Sequence, residues 1–168
     1  MIPINIMTSL EQCPAYAIQH AYATAEAKRI FGRTYRRSWV QRIWALLTRQ
    51  SSRMLDLHQV GTTISIRNRH YSGVQTVRID CIRGSENRVQ DFDVHFNPVR
   101  HYNKSRWVNI AAAMLQGRFL PPVELIKVGE TYYVRDGHHR ISAARALGQQ
   151  EIEAIVTTWE VNKENLEK

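Results

Sequence analysis

The segment 136–140 (sequence DGHHR) constrains this chain most, because it joins a strand-like run to a helix-like run through a glycine. Residues 131–134 precede it as the strand, and residues 141–147 follow it as the helix. Asp136 is the predicted N-cap, and Gly137 lets the backbone come close to a ligand. The free N–H groups of the first helical turn would point outward beside two imidazoles and a guanidinium. The sequence therefore predicts an anion pocket suited to phosphate.

The charge of the chain points to an anionic ligand or partner. Its 168 residues carry a formal net charge of +8, and arginine outnumbers lysine by eighteen to five. Arginine is the better planar fork for phosphate, although a solvated basic surface explains the same excess. The two cysteines have no motif spacing, which favours reduced thiols in a cytoplasmic protein. No signal peptide or transmembrane segment is predicted.

The first part of the chain, residues 1–73, is interpreted as a basic helical extension. One helix is predicted over residues 15–31 with a stop at Gly32, followed by a basic turn. A second helix is predicted over residues 39–58, because Ser38 and Gln41 have the spacing of a capping box. We expect Trp39 and Trp44 to pack that helix against the rest of the protein. An anionic membrane surface or nucleic acid is the alternative partner for that helix.

Residues 74–158 are predicted to form a small α/β (α+β) domain with a mixed sheet. A polar segment, 83–104, has the length of a functional or disordered loop. A charged tail, 159–168, completes the chain. An ambiguous strand-like stretch at 62–66 comes before this domain. The predicted elements of the domain are, in order, strand 74–79, loop 83–104, a helix that ends at Gly117, hairpin strands 123–128 and 131–134, helix 141–147 and strand 152–157. The apolar positions of the helix that ends at Gly117 are Trp107, Ile110, Ala111, Met114 and Leu115.

Several features of residues 74–158 together resemble the ParB/sulfiredoxin superfamily, specifically the ParB N-terminal domain. The matching features are, in chain order, an opening strand at 77–82, Arg88 followed by Phe92-Asp93, a helix ending at Gly117, the Pro121-Pro122 step into a strand, and DGHHR followed by Ala143-Ala144 in place of ParB's Gly-Glu-Arg-Arg…Ala-Ala or sulfiredoxin's Gly-Cys-His-Arg.

The resemblance implies roles for the residues of the DGHHR turn. In this superfamily the Gly-x-x-Arg turn cradles nucleotide phosphates. Gly137 would be the close-approach residue, Arg140 a phosphate fork, and His139 a second donor. His138 occupies the position of the sulfiredoxin nucleophile, and an imidazole there argues against sulfiredoxin activity. It also replaces the ParB glutamate, which puts ParB-type hydrolysis in doubt.

The first hypothesis is a nucleotide-binding domain for CTP, ATP or ADP, with Mg²⁺ as a companion ion. Arg88 would join the phosphate site from the loop. Turnover would be phosphoryl transfer or hydrolysis, by an NTP hydrolase or a small-molecule kinase. His138, near its reference pKa of about 6.5, would then be a general acid or base. The superfamily's kinases use an acidic base, for which Asp93 is the first candidate here. Asp80 and Glu86 are further candidates, and the sequence does not decide among them.

The second hypothesis is a DNA-binding or regulatory protein without catalysis, in which the arginine excess contacts the phosphate backbone. A homodimer is compatible with either hypothesis. Asp91, Asp93 and His95 alternate, so they would share one face of an extended segment and suit a divalent cation, or form the wet face of a strand. Zinc on His138 and His139 is disfavoured, because adjacent side chains at a helix start diverge by about 100°. No metal ligand is assigned.

Overall fold

A computed structural model describes residues 14–48, 54–63 and 65–161. The elements are, in chain order, α1 (Pro14–Thr48), β1 (Leu55–Asp56), α2 (Leu57–Thr63), β2 (Ile66–Arg78), a 3₁₀ turn (Ile79–Cys81), β3 (Ile82–Ser85), a second 3₁₀ turn (His101–Asn103), α3 (Lys104–Leu115), β4 (Val123–Val128), β5 (Thr131–Asp136), α4 (His138–Ala146) and β6 (Glu151–Val161). This confirms the predicted α/β class with a helix ahead of the sheet.

The six described strands form one mixed sheet in the order β1-β3-β5-β4-β6-β2. β4 and β5 are the predicted antiparallel hairpin, and β4 lies parallel to β6 on its other side. β3 runs parallel to β5, so the carboxyl ends of β3 and β5 lie at the same edge of the sheet. That edge carries the start of α4 and the start of the long loop after β3.

One face of the sheet packs on α4 and on that loop, and this makes the main core. The core includes Phe92, Val123, Val134, Ile141 and Val156, all buried. α2 covers the opposite face, where Leu57 packs with Ile126 and Tyr133 of the sheet and with Trp159. Each face of the sheet therefore has its own helical cover, as expected for a largely hydrophobic sheet.

The N-terminal segment contains one long helix, so the predicted break at Gly32 is wrong. A single glycine costs a helix only about 1 kcal/mol relative to alanine. Phe31 and Thr34, on either side of it, are both buried. The Ser38 hydroxyl lies 2.9 Å from the carbonyl oxygens of Tyr35 and Pro98, so it sits inside the helix and does not cap a second one. The predicted separate helix over residues 39–58 is therefore wrong at its start, because residues 39–48 continue α1. Its residues 49–53 lie outside the described part.

The predicted packing of the two tryptophans is also wrong. Trp39 and Trp44 are each 62% exposed, because α1 meets the rest of the protein through a different face. That face carries Ala23, Ala27 and Phe31, which pack against Trp107 and Ala111 of α3. Small side chains let the two helices approach closely. The buried Trp107 indole N–H then donates to the hydroxyl of Ser142 in α4 at 2.8 Å.

Strand β2 is longer than predicted and begins at Ile66. Thr62 belongs to α2, so the strand-like reading of residues 62–66 is wrong at its start. β2 pairs with β6 on both sides of Gly73, which adopts φ +82° where the register shifts between Tyr71 and Val74. The glycine therefore permits an irregularity within the strand. The division of the chain at residue 74 stays a prediction.

Helix α1 depends on small residues at its contact with α3. Ala27→Leu should therefore lower the free energy of unfolding by about 1–3 kcal/mol, because the fully buried Ala27 leaves no room for a larger side chain. Ala25→Leu, at an exposed position of the same helix, should change it by less than about 0.5 kcal/mol. Urea unfolding followed by circular dichroism compares the two. Equal effects would contradict the packing described here.

Candidate phosphate site at the start of helix α4

Strand β5 and helix α4 meet at Gly137, which is the N-cap of α4 and has φ +99°. A Cβ atom at this position would lie 2.5 Å from Cγ1 of Val123 in β4. Both the left-handed backbone and the close approach therefore require glycine. The prediction that Asp136 caps α4 is wrong. Because Asp136 is the last residue of β5, its carboxylate lies beside the helix and accepts a hydrogen bond of 2.5 Å from Arg140 Nη2.

The first turn of α4 presents backbone donors that have no partner among the described residues. The first intrahelical bond runs from the N–H of Ile141 to the carbonyl of Gly137, at 3.0 Å. The N-cap residue is a glycine, so it provides no side-chain cap. The N–H groups of His138, His139 and Arg140 therefore remain available, and the helix dipole adds partial positive charge.

His138 is held by Ser85, the last residue of β3. Its Nε2 lies 2.7 Å from the Ser85 Oγ, and both side chains are buried. The same oxygen accepts the backbone N–H groups of Asn87 and Arg88, at 3.2 and 2.9 Å. With its lone pairs used in this way, the Ser85 hydroxyl donates its proton to the imidazole. His138 is therefore neutral, with its proton on Nδ1.

His139 is buried without any hydrogen-bond partner among the described residues. Its side chain is 4% exposed, and neither ring nitrogen has an acceptor or donor. The Phe92 ring packs edge-on against it at 5.3 Å between centroids, and also stacks on His138 at 6.0 Å. A buried imidazole without a partner is costly in a folded protein. His139 is therefore a buried polar group, in the first turn of α4, whose hydrogen-bonding capacity is unused among the described residues.

Both imidazoles are uncharged at neutral pH. Burial lowers the pKa of His138 to about 4, helped by the positive charge of Arg88 and by His139. Burial also lowers the pKa of His139 to about 4, helped by Arg106 and Arg88. The prediction that His138 titrates near 6.5 is therefore wrong. The negative charges of Asp91 and Asp136 oppose these shifts without cancelling them.

The site is electropositive because of two arginines outside the DGHHR turn. Arg88, which the sequence predicted, reaches it from the loop and is half-buried. Arg106, in the first turn of α3, is close enough to His139 to help lower the pKa of that imidazole. Arg88 Nη1 lies 3.5 Å from the Asp91 carboxylate, a weak ion pair that leaves most of the guanidinium donors unused by the described residues.

The Arg140 guanidinium is hydrogen-bonded within the protein and is not free to bind phosphate with all of its donors. Its Nη1 donates to the carbonyl oxygens of Pro121 and Pro122, at 2.5 and 3.0 Å. Its Nη2 donates to Asp136. Three of the five guanidinium donors are therefore used to hold the start of α4 against the segment before β4. The role of Arg140 toward phosphate stays a prediction.

Asp93 is bound into the loop. One carboxylate oxygen accepts the N–H groups of His95 and Asn97, both at 2.9 Å, and the other accepts the Asn97 side-chain amide at 3.0 Å. These bonds hold Phe96 at φ +59° with its ring buried in the core. Asp93 as a catalytic base stays a prediction, but this geometry assigns the carboxylate to the shape of the loop.

The predicted cation face on the loop is wrong in its geometry. Residues 91–95 form turns, with Asp91 and Asp93 buried and His95 exposed, so they share neither a wet face nor a ligand face. Within the described ranges, no three His, Cys, Asp or Glu side chains come together as metal ligands. Among those ranges, too, no helix is long and apolar enough to cross a membrane.

A model of the ParB N-terminal domain family matches residues 65–166. The chain belongs to this family. The match begins one residue before β2 and includes the whole sheet from β2 onward with α3 and α4. It confirms the superfamily predicted from the DGHHR turn and its neighbours. Helix α1, β1 and α2 precede the matched ParB N-terminal domain.

Two solved structures are similar to this ParB N-terminal domain at low identity. Sulfiredoxin from Arabidopsis thaliana is 22% identical with a TM-score of 0.38, covering 49% of this chain and 82% of the other. A conserved hypothetical protein from Pyrococcus furiosus is 21% identical with a TM-score of 0.34, covering 55% of this chain and 34% of the other. No curated protein sequence matches.

Sequence reasoning missed two residues that shape the site in this ParB N-terminal domain. Ser85 is 53 positions from its partner His138, and no local pattern marks such a pair. Phe92 entered only as part of the family resemblance, whereas its ring covers both imidazoles. The pairing of β3 with β5 brings these residues to the start of α4. Only the topology of the sheet could have revealed them.

The buried histidines should make the stability of the protein depend on pH. Their pKa values are about 4 in the folded protein and about 6.5 in the unfolded chain, so the unfolded state binds more protons between these values. Stability is therefore complete above about pH 6.5 and should fall as the pH drops, by up to about 1.4 kcal/mol per pH unit for each histidine.

Urea unfolding between pH 8 and pH 5 measures this dependence. His139→Phe should remove about half of the slope, whereas His58→Gln, at an exposed position, should leave it unchanged. A free energy of unfolding that stays constant from pH 7 to pH 5 would contradict the burial of two neutral imidazoles.

Proposed function

We propose that this domain binds the phosphates of a nucleotide at the first turn of α4. The observation that carries the proposal is the buried His139 ring, whose two nitrogens have no partner among the described residues and which belongs to the same first turn as three unpaired backbone N–H groups. An anion at this position would accept from the N–H groups and from an imidazole N–H. Helix start, dipole and imidazole all favour negative charge there.

The positive side chains around the turn support phosphate over a neutral ligand. Arg88 and Arg106 lie close enough to His139 to lower its pKa, so both contribute positive potential at the ring. A bound phosphate would offset that potential and accept the donors that Arg88 leaves free. His138 would offer its Nδ1 proton, because Ser85 occupies Nε2. CTP, ATP and ADP, with or without Mg²⁺, are the ligands to test.

Phosphoryl transfer or nucleotide hydrolysis stays a prediction. His138 Nε2 is engaged with Ser85, and the Asp93 carboxylate with the loop. Asp91 accepts the Tyr102 hydroxyl at 2.9 Å and faces Arg88 and Arg100. The Asp91 and Asp93 carboxylates and the Nε2 atom of His138 are thus already engaged within the protein, and only the His139 imidazole is not. We infer that binding is the primary activity and that turnover, measured as phosphate release, is slow.

Isothermal titration calorimetry with CTP, ATP and ADP, each with and without Mg²⁺, measures the proposed binding. Arg88→Gln should weaken nucleotide binding about tenfold or more, because a charge-assisted hydrogen bond contributes roughly 1.5–3 kcal/mol. His139→Phe should weaken it to a similar extent, since phenylalanine keeps the ring shape and removes the donor. Arg67→Gln is the matched control, with the same change of charge at an exposed position on β2.

Three results would count against the proposal. One is the absence of binding by any of the nucleotides to the folded wild-type protein. Another is equal weakening by Arg88→Gln and Arg67→Gln, which would indicate general attraction to positive charge. The third is binding to duplex DNA with a steep salt dependence and no competition from nucleotide, which would favour the DNA-binding hypothesis.

A further inference from the structure

The C-terminal third of α1 presents a stripe of large apolar side chains to solvent. The stripe consists of Trp39, Val40, Ile43, Trp44 and Leu47, which are 62%, 47%, 37%, 62% and 75% exposed. At 100° per residue they occupy an arc of about 140°, and its centre lies about 160° from the centre of the packed face. The stripe therefore points directly away from the sheet and from α3. Residues of the described chain do not cover it.

The charges around the stripe have one sign. Residues 33–48 contain four arginines, at positions 33, 36, 37 and 42, and no aspartate or glutamate. All four arginines are exposed. Arg33 and Arg36 lie about one to two turns before the stripe on the same outward side, and Arg37 lies just before the stripe at its edge. An occupant of this face must therefore offer both apolar surface and negative charge.

We propose that this stripe lies on an anionic lipid surface. Large apolar and tryptophan side chains on one side of a helix, with arginines beside them, are the features of helices that lie in a membrane interface. The tryptophan rings suit the boundary between headgroups and acyl chains. The arginines would pair with anionic headgroups. A helix bound in this way would lie along the surface, with the phosphate site on the body of the protein still free.

Two other occupants fit the stripe less well. Nucleic acid would use the arginines and stack on tryptophan, but it offers nothing to Val40, Ile43 and Leu47. A second copy of the chain would bring together two segments that are rich in arginine and lack aspartate and glutamate, so the two segments would repel each other. The stripe is also only about 12 Å long, so it is too small to supply the roughly 800 Å² per partner of a stable interface by itself.

Binding of the full chain to lipid vesicles tests the proposal. Vesicles of phosphatidylcholine with 30% phosphatidylserine should bind the protein in a sedimentation assay, and pure phosphatidylcholine vesicles should bind it at least tenfold less. Trp107 is fully buried and Trp159 nearly so, hence a blue shift of tryptophan emission on binding would report on Trp39 and Trp44. That readout needs no variant, so it stands even where a substitution impairs folding.

Variants separate the apolar and electrostatic parts. Ile43→Ser with Leu47→Ser should lower the vesicle partition coefficient at least tenfold, because two exposed aliphatic side chains are no longer buried in lipid. Arg33→Gln with Arg37→Gln should lower it more than tenfold, at roughly fivefold per arginine. Ile18→Ser is the matched control, because Ile18 is 71% exposed near the other end of α1. Circular dichroism checks that each variant keeps its helix.

Four outcomes would overturn the proposal. The first is no binding to the anionic vesicles, and the second is vesicle binding that survives Ile43→Ser with Leu47→Ser. The third is a blue shift of tryptophan emission with a duplex oligonucleotide and not with vesicles, which would assign the face to nucleic acid. The fourth is a dimer, seen by sedimentation equilibrium without lipid, that the same double variant abolishes. That outcome would assign the stripe to a second copy.

Discussion

The close approach of the Gly137 turn to strand β4 is the constraint on which the site depends. With Cγ1 of Val123 in the space that a Cβ would occupy, the first turn of α4 lies directly on the sheet. This position buries His138 and His139 under the Phe92 ring and leaves the backbone N–H groups of the turn without partners in the described part of the chain. Arg140 reinforces the arrangement by binding the carbonyl oxygens of Pro121 and Pro122.

The electrostatics of the turn follow from that burial. Two imidazoles whose pKa values lie near 4 carry no charge at neutral pH, although Arg88 and Arg106 hold the region positive. An anion placed there would offset the arginines and raise both pKa values, because it favours the protonated rings. The unpartnered imidazole and the uncapped N–H donors each raise the free energy of the unliganded site, and an anionic ligand would remove part of that cost. Strained or unsatisfied groups with perturbed pKa values are common at functional sites.

Local patterns in the sequence predicted the elements that local interactions determine. The hairpin of β4 and β5, the helix of Trp107 and the glycine before α4 were all predicted from spacing and turn chemistry. The errors lie where tertiary packing decides. Gly32 does not end α1, because buried neighbours outweigh a propensity cost of about 1 kcal/mol. The Ser85–His138 pair joins residues that only the β3–β5 pairing brings together.

The central claim is that phosphate sits on the first turn of α4. ¹H–¹⁵N NMR of the labelled full chain, titrated with CTP, ATP and ADP, tests it most directly. We expect the largest shifts in the backbone amides of His138, His139 and Arg140, together with a rise in the pKa of the His139 ring. Shifts confined to exposed arginines elsewhere, with these three amides and that ring unchanged, would contradict a phosphate site at this turn.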